Sequence, residues 1–190
     1  QGIWKKNFDN GNLRYRGFFV DNNPSGLFNY YYKTGELKIE KEFFHKGTAA
    51  ATYIFYRDGS LKASGLYVNQ IKDSTWNYYN SDSILILSEI YFQGLLTGAS
   101  KTYYDNGALY EIKNFKNDTV NGRWEQFFNN GNTKMIASYL NGLREGEFTL
   151  YHPNGIIYSK GVYKNGIKDG SWQFFSSENN LDTTIIYLNE

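Results

Sequence analysis

The sequence contains no cysteine and only two prolines among its 190 residues. The absence of cysteine excludes disulfides and thiol chemistry, but it assigns no cellular compartment. Few prolines are typical of a chain in which most backbone N–H groups are used in β-sheet ladders. The longest apolar run, from Ile84 to Leu87, is far shorter than the ~20 residues that a membrane-spanning helix needs. We therefore predict no transmembrane segment.

The sequence also lacks an excess of either charge. The net charge is +1 and there is no basic run, so no nucleic-acid partner is predicted. Motifs for a nucleophile elbow, a phosphate-binding loop, a zinc-binding helix or a calcium loop are missing as well. His45 and His152 have no Cys or His neighbour and are interpreted as surface or filler residues. The sequence predicts a protein that is not an enzyme and has no catalytic residue, cofactor or metal site.

What the chain does contain is a 24-residue repeat that is rich in aromatic residues. It has 18 Tyr, 14 Phe and 4 Trp, and aromatic side chains favour β-strands. The eight units open at Gly2, Gly26, Ala50, Ser74, Gly98, Gly122, Gly146 and Gly170. A fixed period of this kind indicates a repeat architecture. We expect one repeat domain over residues 1–190.

Each unit reads as two strands joined by a turn. In the sixth unit, GRWEQFF precedes Asn129-Asn130-Gly131-Asn132, and TKMIASYL follows it. Asn-Gly and Asp-Gly pairs prefer two-residue type I′ turns, so this first turn is predicted to be of that type. The second turn, at Asn141-Gly142, is predicted to be looser. The predicted fold is all-β, a single-layer antiparallel meander of tandem hairpins with about 16 strands, twisted and curled.

A two-residue first turn would place Tyr31 opposite Lys38, and Phe28 opposite Lys41. Side chains alternate across a strand, so each hairpin has two faces. The predicted interior face contains three series of residues. They are a Trp/Phe series (Trp4, Phe28, Trp76, Trp124, Phe148, Trp172), a Leu series (Leu13, Leu37, Leu61, Leu85, Leu109, Leu181) and an aromatic series (Phe19, Phe43, Tyr67, Tyr91, Phe115, Tyr139, Tyr163, Tyr187). Gly17 opposite Trp4 and Gly161 opposite Phe148 are expected to let those rings lie over bare backbone.

The predicted exterior face carries a second aromatic series, which we call the ladder. Its members are Tyr31, Phe55, Tyr79, Tyr103, Phe127, Tyr151 and Phe175, and Lys38, Lys62 and Lys134 are the expected cross-strand partners of three of them. Rigid Tyr and Phe side chains suit a partner-binding surface. The alternative is that the rings only pack across the sheet to support it. The irregular stretches 45–52 and 73–84 are a second candidate surface, with neutral drift of the repeat as the alternative.

The unit resembles the bacterial variant of the MORN (membrane occupation and recognition nexus) repeat. GRWEQFFNNG at Gly122, GEFTLYHPNG at Gly146 and GSWQFF at Gly170 carry the resemblance. TAAAT at 48–52 and the Ser81-Asp82-Ser83 turn depart from the pattern. The resemblance implies a repeat solenoid without catalytic residues. Members of the family are described as antitoxin-like or immunity-like proteins, scaffold segments and envelope proteins, and eukaryotic relatives have been linked to phospholipids.

These observations favour a non-enzymatic protein–protein interaction module. The expected partner is another protein, either in a bacterial cell-envelope assembly or as a toxin that is held inactive. The alternative is a glycan- or lipid-head-group-binding protein that uses the ladder. Unpaired end strands offer a route to edge association. Because the chain opens with Gln1 rather than Met, we expect export with a signal peptide removed, to the periplasm, the outer membrane or the medium, while a cytoplasmic location stays open.

Overall fold

The computed structural model describes residues 1–188. They form β-strands that are connected by short turns, and one of the connections contains a 3₁₀ turn at His45–Gly47. The chain divides into two compact units, Gln1–Leu95 and Leu96–Glu190. The first nine strands are β1 Gly2–Asn7, β2 Leu13–Val20, β3 Asn23–Tyr31, β4 Leu37–Phe44, β5 Ala49–Phe55, β6 Leu61–Val68, β7 Ile71–Tyr79, β8 Leu85–Phe92 and β9 Leu95–Leu96. The others are β10 Gly98–Tyr103, β11 Leu109–Lys116, β12 Thr119–Phe127, β13 Thr133–Leu140, β14 Leu143–Tyr151, β15 Ile157–Lys164, β16 Ile167–Phe175 and β17 Leu181–Tyr187.

Strands pair with their neighbours in sequence. In the first compact unit, β1 to β8 form an unbroken antiparallel series. In the second compact unit, β10 to β17 do the same. The predicted all-β antiparallel meander of tandem hairpins is therefore confirmed. The described residues contain one strand more than the sixteen expected, because β9 and β10 are separated at Thr97, where five other units have one nine-residue strand.

The first turn of each unit is not the predicted type I′ turn. In the sixth unit, the Phe128 N–H donates to the Asn132 carbonyl at 2.8 Å, and the Gly131 N–H donates to the Phe128 carbonyl at 2.9 Å. Gly131 has φ 85°, whereas the φ of Asn130 is negative. A type I′ turn needs positive φ at both central residues, so this is a three-residue loop, a type I turn followed by a glycine bulge. The same hydrogen-bond pattern recurs in all eight units.

Asparagine has a different role in this first turn from the one predicted. The Asn130 Oδ1 accepts from the N–H of Asn132 at 3.0 Å, and its Nδ2 donates to the carbonyl of Pro153 in the next unit at 3.1 Å. Asn154 repeats both bonds, to Ile156 and to Ser177. Asn is selected here because its amide can close its own turn and also bond to the following one.

The second turn is the tight one. Asn141 and Gly142 have φ 50° and 86°, and Leu140 pairs directly with Leu143. Two loop residues that both have positive φ are the signature of a type I′ turn. The predicted assignment was thus reversed: the type I′ turn lies where a looser turn was expected.

The three-residue loop changes the register next to it. Phe28 pairs with Lys41 as predicted, but Tyr31 pairs with Leu37, and Lys38 is the extra residue of a bulge. Paired residues project from the same face of a sheet. The prediction that Tyr31 faces Lys38 and that the Leu series is interior was therefore wrong, and leucine lies beside the ladder instead.

The interior face is a layer of aromatic rings. Trp76 and Trp172 are each 1% exposed, and the Trp172 and Tyr163 rings meet edge to face at 5.1 Å between centroids. Phe28 and Phe148 are buried too. The interior placement of the Trp/Phe series is confirmed for these four residues, although Trp4 is 59% exposed.

Glycine makes this depth of burial possible, but the ring over it is not the predicted one. Gly161 pairs with Phe148 as expected, yet the ring that covers it belongs to Trp172 on the following strand. A Cβ at Gly161 would lie 2.3 Å from that indole. In the same way, Gly17 pairs with Trp4 but is covered by Phe28.

The unit that opens at Ala50 departs from the repeat, as the sequence predicted. Elsewhere a residue with positive φ, such as Gly26 at 63°, forms a bulge that takes up two residues of the second strand of the pair. Ala50 does not adopt positive φ, and β4 pairs with β5 without a bulge. Phe44 therefore pairs with Ala49 across a four-residue loop that contains the 3₁₀ turn.

The stretch 73–84 is regular, which corrects the second prediction of irregularity. Ser74 and Ser83 adopt φ of 59° and 63° and so occupy the positions where glycine stands in other units. The pairing of β6 with β7 and of β7 with β8 follows the common register.

Candidate interaction surface

The ladder residues lie at the ends of their strands, immediately before the first turn of each unit, and all seven are half-buried. Each one pairs with an aliphatic residue or threonine on the next strand. The pairs are Tyr31–Leu37, Phe55–Leu61, Tyr79–Leu85, Tyr103–Leu109, Phe127–Thr133, Tyr151–Ile157 and Phe175–Leu181. Within residues 1–188, no ring contact joins two members of the ladder. Within each of the two compact units, the ladder is thus a row of rings flanked by aliphatic or threonine side chains.

The three predicted lysines contact neighbouring rings and not the ladder. The Nζ atoms of Lys38, Lys62 and Lys134 lie 5.5, 5.3 and 5.9 Å from the ring centroids of Tyr32, Tyr56 and Phe128, respectively. The bulge causes this change, because it moves each lysine one position away from the ladder residue. The predicted lysine–ladder pairs are therefore incorrect.

The residues that follow the ladder were missed by sequence reasoning. The Tyr32 hydroxyl donates to the Phe55 carbonyl at 2.8 Å, Tyr56 to Tyr79 at 2.9 Å and Tyr104 to Phe127 at 2.8 Å. These bonds tie the backbone of one ladder residue to the preceding unit. A tyrosine repeated at 24-residue spacing next to the turn was the available signal.

His152 occupies this same position in its unit. Its Nε2 lies 3.0 Å from the Phe175 carbonyl, so the ring replaces the tyrosine hydroxyl and has a structural role. His45 is exposed in the 3₁₀ turn, and its ring lies 5.1 Å from that of Phe44. No cluster of three or more His, Cys, Asp or Glu that could hold a metal occurs in the described part of the chain.

Cations lie among the rings of the interior face. Lys168 Nζ is 4.2 Å from the Trp172 ring and 5.0 Å from the Tyr187 ring. Arg144 donates to the hydroxyls of Tyr139 and Tyr163 at 2.9 and 3.1 Å. Cation–π contacts at such distances are attractive, more so where water is excluded. The aromatic layer thereby gains positive charge.

Lys72, in the first compact unit, makes the same kind of contact with aromatic rings. Its Nζ donates to the Tyr78 hydroxyl at 2.5 Å and lies 4.7 Å from the Tyr91 ring. Burial raises the pKa of Tyr78 to about 12, while the hydrogen bond and charge of Lys72 act in the opposite direction. Tyr78 is therefore a neutral hydroxyl across the physiological range.

The described helical residues include no segment long and apolar enough to cross a bilayer. Large apolar side chains are exposed beside the tight second turns. They include Ile71, Phe92, Leu95, Leu140, Leu143 and Ile167. These residues give the hairpin ends an apolar character that the sequence analysis did not identify.

Comparison with known families finds four matches to the sequence profile of a family described as "MORN repeat variant". The matched stretches are residues 1–21, 96–117, 120–141 and 144–165. Each contains one complete first turn, and none of them includes the bulge-free stretch around Ala50. No curated protein matches the chain.

Proposed function

We propose that this chain is a non-enzymatic protein-interaction module whose ladder contacts a protein partner. The supporting observation is the half-exposed ring with an aliphatic neighbour, which recurs at the same place in successive hairpins. Rings of this kind supply contact area at a low cost in side-chain entropy. The hydroxyl bonds from Tyr104 and Tyr56 hold the backbone of two ladder residues in place, which further preorganises the surface.

The partner that we propose is a protein of a bacterial cell-envelope assembly or a toxin that the chain neutralises. An exported location, in the periplasm, at the outer membrane or in the medium, is part of this proposal. The similarity of four units to the MORN repeat variant supports a repeat module of this general type. A ladder that extends over several hairpins fits a long, shallow contact better than it fits a deep substrate pocket.

The test is a double variant, Tyr103→Ser with Phe127→Ser, in the full chain. We expect it to lose a partner that co-purifies stoichiometrically with the unmodified protein, while its circular dichroism and melting temperature remain those of a folded sheet. Lys101→Ser with Glu125→Ser is the matched control, because these residues precede the two rings on the same face of β10 and β12. A partner that is retained by the ladder variant contradicts the proposal.

The alternative ligands are separated by two further arms of the same experiment. A glycan bound on the ladder would raise the melting temperature with oligosaccharides, independently of salt. A lipid head group would make the protein sediment with anionic vesicles, with binding that weakens as salt rises. Either result, when lost in the ladder variant and kept in the control, replaces the protein partner as the proposed ligand.

A further inference from the structure

Two departures from the repeat lie close together in the first compact unit: the residue at position 52 and the loop before Ala50. Thr52 stands where six of the other seven units have Trp or Phe, and it is 1% exposed between Lys41 and Gly65 on the neighbouring strands. The four-residue loop that Ala50 imposes also folds toward β3, and Gly47 packs against Pro24 so closely that a Cβ would lie 2.7 Å from its ring. The displaced loop lines a space between β3 and the start of β5.

The result is a cavity of about 490 Å³ on the aromatic face. This volume is within the range of small-molecule sites, roughly 300–1,000 Å³. Tyr30, Phe43 and Tyr67 supply rings to its lining, and the buried residues Ala49 and Ala50 also line it. The polar part of the lining comprises Lys41, Lys46, Asn23, Thr48, Asn69 and Gln70, with no acidic residue.

Lys41 is the half-buried one of the two lysines that line this cavity, and it has no acidic partner in the part of the chain that the structure describes. Its Nζ lies 4.3 Å from the centroid of the Tyr67 ring. Lys113, which occupies the corresponding position in another unit, pairs with Glu111 at 2.9 Å. The residue that corresponds to Glu111 beside Lys41 is Ile39. Burial lowers the pKa of Lys41, as expected for an ammonium group that lacks a counter-ion.

We propose that this cavity binds a small organic carboxylate with a flat apolar body. The carboxylate would bond to Lys41, and Lys46 would add positive charge from the loop. The apolar body would lie against the rings of Tyr30 and Tyr67, above the small side chain of Ala50. A carboxylate supplies the charge that Glu111 provides to Lys113. The site is independent of the ladder.

The test uses benzoate, with benzamide as a neutral probe of the same shape and acetate as an anion without a ring. Binding to the isotopically labelled full chain is followed by NMR. We expect saturable shifts of the resonances of Lys41, Ala50 and Tyr67 with benzoate, with a dissociation constant of about 1 mM or tighter. Benzamide and acetate should each bind at least tenfold more weakly, because each lacks one of the two features that the cavity recognises.

Two variants decide the outcome. Lys41→Met keeps the apolar stem without the charge and should weaken benzoate binding at least tenfold, whereas Lys62→Met, at a cation–π lysine outside the cavity, should leave it unchanged. Thr52→Trp should place an indole against Lys41, as Trp124 lies against Lys113, and should weaken benzoate binding at least tenfold by competing for the ammonium group. Absence of saturable benzoate binding, equal binding of benzamide, or unchanged binding to both cavity variants would overturn the proposal.

Discussion

Two tryptophans in this chain lie over glycine, and a third lies beside a lysine at the same position of the repeat. The rings of Trp76 and Trp172 pack directly against the backbone of Gly65 and Gly161, and both tryptophans are 1% exposed. Their indole N–H groups donate to backbone carbonyls, at 3.0 and 3.2 Å. The sheet itself acts as the second wall of the core in these two places, which is how a single layer can bury a residue as large as tryptophan.

Trp124 has no glycine beneath it. Lys113 is its cross-strand neighbour, with Nζ 4.2 Å from the ring, and the indole N–H donates to the carboxylate of Glu111 at 2.7 Å. Trp124 is only half-buried. The comparison shows that the residue beneath the ring sets its exposure. Over glycine the tryptophan is fully buried against the backbone, whereas beside Lys113 it is half-buried next to the Lys113–Glu111 ion pair.

The largest expected effect is the loss of a ring that lies over glycine. Trp172→Ala should lower the free energy of unfolding by about 3–5 kcal/mol, because it removes a fully buried ring and leaves a cavity. Trp124→Ala should cost at least ~1 kcal/mol less, since its ring is only half-buried. Urea unfolding followed by circular dichroism measures both. Equal losses would mean that the depth of the ring does not set its contribution.

A smaller loss is expected when the space beneath the ring is filled. Gly161→Ala places a Cβ 2.3 Å from the Trp172 ring, so the ring must rise, at a cost of about 1–3 kcal/mol. Ser138→Ala serves as the control. Ser138 is an exposed residue of β13 on the face away from the aromatic rings, so this substitution should change stability by less than ~0.5 kcal/mol. An unchanged unfolding midpoint for Gly161→Ala would show that the close approach of ring and backbone is not required.

The arrangement of Trp124 beside Lys113 is tested by replacing Glu111, whose carboxylate contacts both residues. Glu111 is 8% exposed and accepts from Trp124, from Gln126 at 2.8 Å and from Lys113. Glu111→Gln should therefore cost about 1–3 kcal/mol, since hydrogen bonds to a charged acceptor are lost.

The matched control for this substitution is Glu125→Gln, which breaks the ion pair with the more exposed Arg123. Pairs of that kind contribute roughly 0–1 kcal/mol. If Glu125→Gln destabilises as much as Glu111→Gln, the buried carboxylate has no special role in holding Trp124.

The smallest effect is a change of stability with pH near Trp76. The pKa of Tyr78 rises from an ordinary value of 10.0 to about 12 in the folded protein, so folding favours the protonated hydroxyl. This contribution is fully present below pH 10 and is lost as the pH rises toward 12. Tyr78→Phe should remove that part of the pH dependence in unfolding experiments between pH 9 and 12. A profile that is identical in the variant would contradict the assignment.

The hairpins, their antiparallel order and the interior position of four large rings were predictable from period and alternation. The turn types were not, because Asn-Gly suits two turns that differ in the φ of the first residue. At Gly131 the preceding asparagine keeps a negative φ and uses its side chain as a hydrogen-bond partner, whereas Asn141 adopts a positive φ. The choice depends on strand register, which is a property of the folded sheet.

The positions of the ladder residues were predictable, and their neighbours were not. One extra residue beside each first turn places Leu37 opposite Tyr31 and moves Lys38 to Tyr32. A single bulge exchanges faces locally, and no composition rule identifies it. The cavity beside Lys41 depends on the loss of positive φ at Ala50, which becomes visible only when the register is known.

The asparagine amides that bond from one turn to the next have a consequence for inheritance. Asn130 bonds to Pro153 and Asn154 to Ser177, and each bond spans 23 positions of sequence. A gene segment that encodes a whole unit can be duplicated or lost and still leave every such amide opposite an equivalent carbonyl. A gain or loss of any other length would break the series at once. The length of these chains is therefore free to change during evolution, but only in steps of one unit.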